Sequence, residues 1–433
     1  MSATRDDVLR RVLAFVRKHL ALSRAPAAAG LTPPGARASI RPVTETAEVV
    51  VIGGGCTGAS IAFHLAERGV RRVVLLEKGA LASGPTGRST AIVRQHYSNE
   101  VTARMALESL RVFQKWGDRV GGTCGFVQTG FLVGVREGER AALEGNVALQ
   151  RGVGIDVRIV SGGELSRLEP ELFTEDLVAA AYEPEAGYCD PVSTTTSLAD
   201  AARARGARIV QSREVTGIRL EGGRVAGVDT SAGPIAAPSV VNAAGAWAHR
   251  LAAPVGVELP IEPSRHPVCA FHRPPDFACT PMIYADFVHQ FYMRPETGDL
   301  CLVGSIDPAA AGNLADPDRY NEGVDLETIS EFGGLVSRRY PALERGFSRG
   351  GWAGIYDVTP DWHPVLDAID GIPGLFVAAG FSGHGFKLCP AVGSMMAGLV
   401  TTGRRDERLD FFRADRFRTG RLIRGKYDYS IVG

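Results

Sequence analysis

Val49-Val50-Val51-Ile52-Gly53-Gly54-Gly55-Cys56-Thr57-Gly58, followed by Ala59 to Gly69 and then Val73-Val74-Leu75-Leu76-Glu77, is the stretch that decides the fold. The unbroken β-branched run reads as a strand buried on both faces, the habit of a parallel sheet. Glycines at 53, 55 and 58 give G-x-G-x-x-G, Ala59 to Arg68 continue as a helix, and a second apolar strand ends on an acid 24 residues after the first glycine (77 − 53). Gly53 permits the tight turn, Gly55 lets the backbone approach a pyrophosphate, and Gly58 lets the helix sit close on the strand. The free N–H groups and positive dipole end of the helix, with Cys56 and Thr57 in its first turn, suit phosphate oxygens. Glu77 can accept from ribose hydroxyls. The glycine pattern alone is a weak signal; strand, glycines, helix, strand and acid in register specify a dinucleotide, with NAD and FAD both open.

Composition narrows the class. The 433 residues are 45% apolar and 22% charged, enough for a sizeable core and two or three domains. Basic and acidic residues number 48 each, so no global charge argues for nucleic acid or a membrane surface. Seven scattered cysteines, an odd number and never C-x-x-C, fit reduced thiols in a cytoplasm and argue against a disulfide framework or a zinc site. The apolar stretch from Val49 to Leu65 carries a glycine cluster and His64, which suits the βαβ unit better than a transmembrane segment. Lysine occurs only at 18, 78, 115, 387 and 426, so arginine supplies the other 43 of the 48 basic residues. Each retained lysine therefore carries weight.

Asp6 to Leu22 has apolar residues at helical spacing, and residues 23–46 read as an Ala/Pro/Gly/Arg linker. Charges interrupt any signal-peptide core, and Asp6 and Asp7 speak against a transit peptide. The helix suits docking on its own domain or on an oligomer partner, with membrane-surface or partner recognition as the alternative.

The loop from Ala82 to Tyr97 combines small and hydroxylated residues (Ser89, Thr90, Ala91) with two cationic forks, Arg88 and Arg94, and suits close approach to a flat ligand. Helices are expected over Val101 to Trp116, Glu139 to Arg151 and Ser193 to Arg205, and strands over Ala207 to Gln211 and Val215 to Leu220. Ser239-Val240-Val241-Asn242-Ala243-Ala244-Gly245-Ala246-Trp247-Ala248 is a buried strand emptying into small residues on which a cofactor could lie. Residues from about 258 to 350, rich in proline and aromatics, change texture and suggest a sheet-containing second domain. Gly374 to Pro390, through Gly380-Phe381-Ser382-Gly383-His384-Gly385-Phe386-Lys387, gives a strand and a glycine loop. A helix is then expected to start near Pro390 and run from Ala391 to Thr402.

Taken together these motifs resemble the D-amino-acid oxidase superfamily of FAD proteins, and within it the sarcosine oxidase, pipecolate oxidase and proline dehydrogenase branch. The resemblance runs from about Glu48 to Phe417. It implies an α/β fold in which a discontinuous Rossmann-type FAD domain (46–130, 190–257 and 351–417) is covered by a β-rich α+β substrate domain (131–189 and 258–350). Residues 1–45 form the N-terminal arm and 418–433 a tail. FAD contacts are expected at Gly53, Gly55, Cys56, Thr57, Gly58, Glu77, Lys78, Arg88 to Ala91, Val215, Ala243 to Gly245, Trp247, Gly354, Gly380 and Gly383 to Lys387.

The same resemblance implies oxidation of a small carboxylated secondary or tertiary amine, such as an N-methyl or cyclic amino acid. The flavin accepts a hydride equivalent, and the imine hydrolyses. Arg94 and Lys387 match the positions that clamp the substrate carboxylate; a salt bridge in the cofactor loop is the alternative for Arg94. Tyr356 matches a substrate-facing tyrosine, with plain core packing as its alternative, and His384 is divided between packing and polar tuning. Relatives attach FAD through a cysteine where this chain has Gly354, or through a histidine where it has Arg88, so a dissociable FAD is expected. The lysine that promotes oxygen reactivity in sarcosine oxidases corresponds to Leu302, which tips the reading toward a dehydrogenase using a carrier or partner protein, or a slow oxidase, so that the electron acceptor is a redox carrier or O2. A flavoprotein assembly factor or dehydrogenase subunit, docking through residues 1–22, is the runner-up. An NAD enzyme leaves the 380–387 loop unexplained.

Overall fold

The computed structural model describes residues 45–277 and 282–427. The helix expected over Asp6 to Leu22 lies outside them.

Two large sheets organise the described chain. The first has six strands in the order Arg208–Val210, Val73–Leu76, Val49–Ile52, Ser239–Asn242, Leu375–Ala379 and Val365–Ala368, parallel except for the last. Val49, Val50, Val51 and Ile52 are all buried, as a strand covered on both faces requires. Their register places Val50 beside Val74 on one side and Val240 on the other. The helices Cys56–Glu67, Pro191–Ala204 and Gly385–Thr402 pack together on this sheet. At Gly393 the first and last of them cross so closely that a Cβ would sit 2.1 Å from Ser60 Oγ. A side chain there would push apart the two helices that carry Cys56 and Lys387.

The second sheet has eight strands in the order Phe347–Val358, Glu262–His272, Leu300–Ser305, Phe291–Glu296, Ile283–Asp286, Phe131–Val135, Ala179–Glu183 and Arg158–Val160. The domain boundary expected at 350/351 falls inside Phe347–Val358, which pairs along Glu262–His272 in this sheet. Arg339, fully buried at 0% exposure, pins the sheet to its helix Leu326–Arg339 by pairing with Asp286 (2.7 Å) and Asp176 (2.6 Å). A buried guanidinium is tolerated because both its charge and its donors are matched.

One expectation at the last motif fails. The helix after the glycine loop begins at Gly385, not near Pro390, and Pro390 lies inside it. The ring removes one donor in the second turn, and the next N–H, of Ala391, donates to Ser109 Oγ at 3.3 Å. A helical neighbour thus absorbs the break, and the N-terminal end of the helix falls at His384 and Gly385, beside Lys387.

Candidate active site

The glycine turn is set by contacts that admit no side chain. Gly53 has φ +107° and donates to Leu76 O at 2.8 Å; a Cβ on it would lie 2.4 Å from Ala243 O. A Cβ on Gly58 would lie 2.0 Å from Gly53 O. The helix Cys56–Glu67 follows with a glycine, Gly55, as its N-cap; its first N–H, of Cys56, donates to Thr86 Oγ1 at 3.2 Å, and the positive end of the helix favours an anion. Glu77 is fixed across the turn, one oxygen accepting from Gly54 N and the other from Gly79 N, both at 2.7 Å.

This turn opens into a cavity of about 1000 Å³, at the top of the usual range for small-molecule sites and fitting for a dinucleotide. Of the residues expected to hold FAD, Gly53, Gly55, Cys56, Thr57, Glu77, Lys78, Arg88, Ser89, Thr90, Val215, Ala243, Ala244, Gly245, Trp247, Gly354, Gly383, Gly385, Phe386 and Lys387 all line it. Four do not. Gly58 lies beneath the turn, and Ala91, at φ +51° and fully buried, is held by its N–H on Ser89 Oγ. Gly380 donates to Asp357 Oδ2 at 2.8 Å. His384 turns away from the cavity, with Nδ1 3.1 Å from Tyr97 OH and its ring parallel to His363. Its described contacts are with the frame of the loop, and it does not line the cavity.

One part of the lining is a charged rim. Asp318 accepts from Lys78 Nζ (2.7 Å), Trp247 Nε1 (2.9 Å) and Arg250 (2.7 Å), and Lys78 also lies 3.7 Å over the Trp247 ring. Arg88 donates to Ser83 O and pairs with Glu322 at 2.7 Å. The loop around 316–322 is thereby tied to both cofactor-side motifs.

Elsewhere the wall is aromatic and cationic. Arg94 (6% exposed) and Lys387 (7% exposed) line the same cavity. The Lys387 ammonium makes a long 3.4 Å bond to Gly383 O. Burial drives its pKa well below the usual lysine range, and the Arg94 charge pushes the same way. Two buried cations that disfavour each other make a receptor for an anion. Tyr356 lines the cavity beside them, and His266 stacks on its ring at 3.9 Å between centroids. Burial lowers the His266 pKa to about 4, so the imidazole is neutral at working pH, and its Nε2 has no hydrogen-bond partner among the described residues. Tyr292 and Phe131 complete the wall.

His266, Tyr292, Phe131 and Asp318 were not found by motif reading. Tyr292 and Phe131 come from the strands Phe291–Glu296 and Phe131–Val135 of the eight-stranded sheet. His266 is legible only through register, which sets it opposite Gly354. Leu302 packs with Val268, Ala270 and Trp352, and of these only Val268 lines the cavity. Among the described residues there is no cluster of three metal-ligating side chains and no helix long and apolar enough to cross a membrane.

Comparison with known proteins agrees with this geometry. Residues 48–399 match the family described as DAO, FAD dependent oxidoreductase. The mitochondrial sarcosine dehydrogenase of Homo sapiens is 30% identical over 387 residues, which cover 87% of this chain and 42% of that protein. The chain thus spans under half the length of that relative. Sarcosine oxidase subunit beta of Rhodobacter capsulatus is 27% identical over 87% of this chain and 90% of its own. The crystal structure of L-proline dehydrogenase from P. horikoshii superposes with a TM-score of 0.81 at 31% identity, covering 88% of this chain and all of that one. The chain belongs to the DAO family of FAD-dependent oxidoreductases, and FAD is its cofactor.

Proposed function

We propose that the protein oxidises a small carboxylated secondary or tertiary amine, an N-methyl or cyclic amino acid. The convergence of Arg94 and Lys387 on one aromatic-walled cavity carries this reading. Bound FAD supplies the two-electron acceptor for oxidation of the carbon–nitrogen bond. The chain's own residues do the rest. Arg94 and Lys387 hold the carboxylate and so fix the amine end. Tyr356, Tyr292 and His266 present rings and a neutral imidazole, a lining that excludes water and favours the uncharged amine. The positive end of helix Gly385–Thr402, whose first residues line the cavity, favours negative charge beside it. The six-stranded part is assigned to the cofactor and the eight-stranded sheet to the substrate cover. Neither Gly354 nor Arg88, both in the cavity wall, offers a thiol or imidazole, which supports dissociable FAD. The buried Leu302 supports a carrier rather than oxygen as acceptor.

Anaerobic mixing of the FAD-loaded protein with a panel of N-methyl and cyclic amino acids tests the reading. One or more should bleach the flavin, and slow recovery on admitting air would agree with the dehydrogenase assignment. A fully loaded protein that no carboxylated amine reduces would overturn it. A second reading, a subunit of a larger dehydrogenase, is favoured by the likeness to sarcosine oxidase subunit beta. Bleaching that appears only when a partner chain is co-purified would support it.

A further inference from the structure

Arg94 stands on a loop that is buried and polar, an expensive combination unless every group is matched. Four separate segments supply partners to this loop, while the side-chain amide of Gln95 has none among the described residues. Gln95 N donates to Glu183 Oε2 at 2.8 Å, from the eight-stranded sheet. From the helix Arg140–Val153, Asn146 donates to Ser98 Oγ (3.2 Å) and Gln150 donates to Tyr97 O (3.1 Å). His384 meets Tyr97 OH. The fourth segment is the C-terminal tail, where the hydroxyl of Tyr427 lies 2.9 Å from His96 Nε2.

The tail is anchored as it arrives. Arg416, 3% exposed, pairs with Asp361 at 2.7 Å, and Ile423 N donates to the same carboxylate at 3.1 Å. Tyr427 then enters the core at 7% exposure, its ring parallel to His96 and edge-on to Phe287 at 4.8 Å. His96 is 1% exposed and lies between Tyr427 on one nitrogen and Glu183, 3.6 Å away, on the other. Its carbonyl accepts from Arg94 Nη1. The residue that receives the Arg94 guanidinium is thus set by a side chain from the last described turn of the chain. That segment lies beyond residue 399, where the family match ends.

We infer that Tyr427 is a positioning residue for the substrate clamp, and that the tail orients Arg94 through His96. The inference rests on the proposed role of Arg94 as the carboxylate anchor. A tail that served only to cover apolar surface would need the ring of Tyr427 but not its hydroxyl.

The test separates ring from hydroxyl. Benzoate and benzamide, of equal shape and different charge, are titrated into the FAD-loaded full chain and followed by the change in flavin absorbance. Tyr427→Phe keeps the ring and should leave FAD content, melting temperature and benzamide response as in wild type. Benzoate binding should weaken about 2- to 10-fold, the range of one neutral hydrogen bond. With the amine substrate the same variant should raise KM by a similar factor with kcat little changed. Tyr427→Ala, which loses the ring as well, should also melt lower. Unchanged benzoate affinity in Tyr427→Phe, or equal weakening of benzoate and benzamide, overturns the inference. If wild type binds benzoate no more tightly than Arg94→Met does, the clamp reading itself fails instead.

Discussion

Replacing Lys387 with Met should push stability and affinity in opposite directions, and the structure fixes both signs. The ammonium is 7% exposed, bonded at 3.4 Å to Gly383 O and held well below the ordinary lysine pKa, first by burial and then by Arg94. Below that lowered pKa the native protein carries the whole cost of a buried charge. As pH rises from there toward the unfolded value of about 10.4, the unfolded chain keeps a proton that the native site has lost, so the ligand-free wild type gains stability. Met carries no such cost. Lys387→Met should therefore melt higher than wild type without ligand, by an excess that is largest at the low-pH end and shrinks as pH climbs.

A carboxylate reverses the balance. Opposite unit charges about 4 Å apart attract by about 4 kcal/mol at an effective dielectric of 20. With ligand desolvation included, truncating one partner costs about 2–5 kcal/mol, a loss of roughly 30-fold to several thousand-fold in affinity. Thermal melts across pH and benzoate titrations measure the two effects separately. A variant that melts lower than wild type refutes the burial cost, and one that binds benzoate with wild-type affinity refutes the clamp.

Four further outcomes are expected. Gly58→Ala forces a Cβ to within 2.0 Å of Gly53 O; relief at about 1–3 kcal/mol should weaken FAD retention roughly 5- to 150-fold, read as flavin absorbance after dialysis. Gly152→Ala, exposed in helix Arg140–Val153 with nothing within 4 Å of its Cβ, should instead stabilise by about 0.5–1 kcal/mol in urea melts and leave flavin content alone. Acid precipitation of the wild type should release all of its FAD into the supernatant, and flavin left in the pellet would contradict the dissociable assignment. His266, neutral down to a pKa of about 4 against about 6.5 unfolded, should cost the protein up to roughly 3 kcal/mol as pH falls through that window. His266→Phe should flatten that part of the stability profile.

The cofactor half of the site could be read from residue order because its physics is local. Close backbone approach needs glycine, so Gly53, Gly55 and Gly58 announce the turn, and Glu77 follows at a fixed distance along the chain. The substrate half could not be read so fully, because its members meet only through register and tertiary packing. His266 faces the cavity because an eleven-residue strand places it opposite Gly354. The expected helix start at Pro390 was a fair reading of proline's habits and still wrong, since Ser109, nearly three hundred residues away, takes up Ala391's N–H. His384, whose sequence reading is divided between packing and polar tuning, meets Tyr97, which no spacing rule links to it.

The order of the six-stranded sheet has a consequence for how the protein is made. Val49–Ile52 is made well before its partners: one of its edges waits for Ser239–Asn242, and that strand waits in turn for Leu375–Ala379. The gap from the first of these strands to the last is 326 residues (375 − 49), roughly 15–65 s of synthesis at ordinary elongation rates. For that interval a wholly apolar strand has no complete sheet to join. A cavity lined by both Gly53 and Lys387 is therefore complete only after the strand Leu375–Ala379 and the helix behind it have been made.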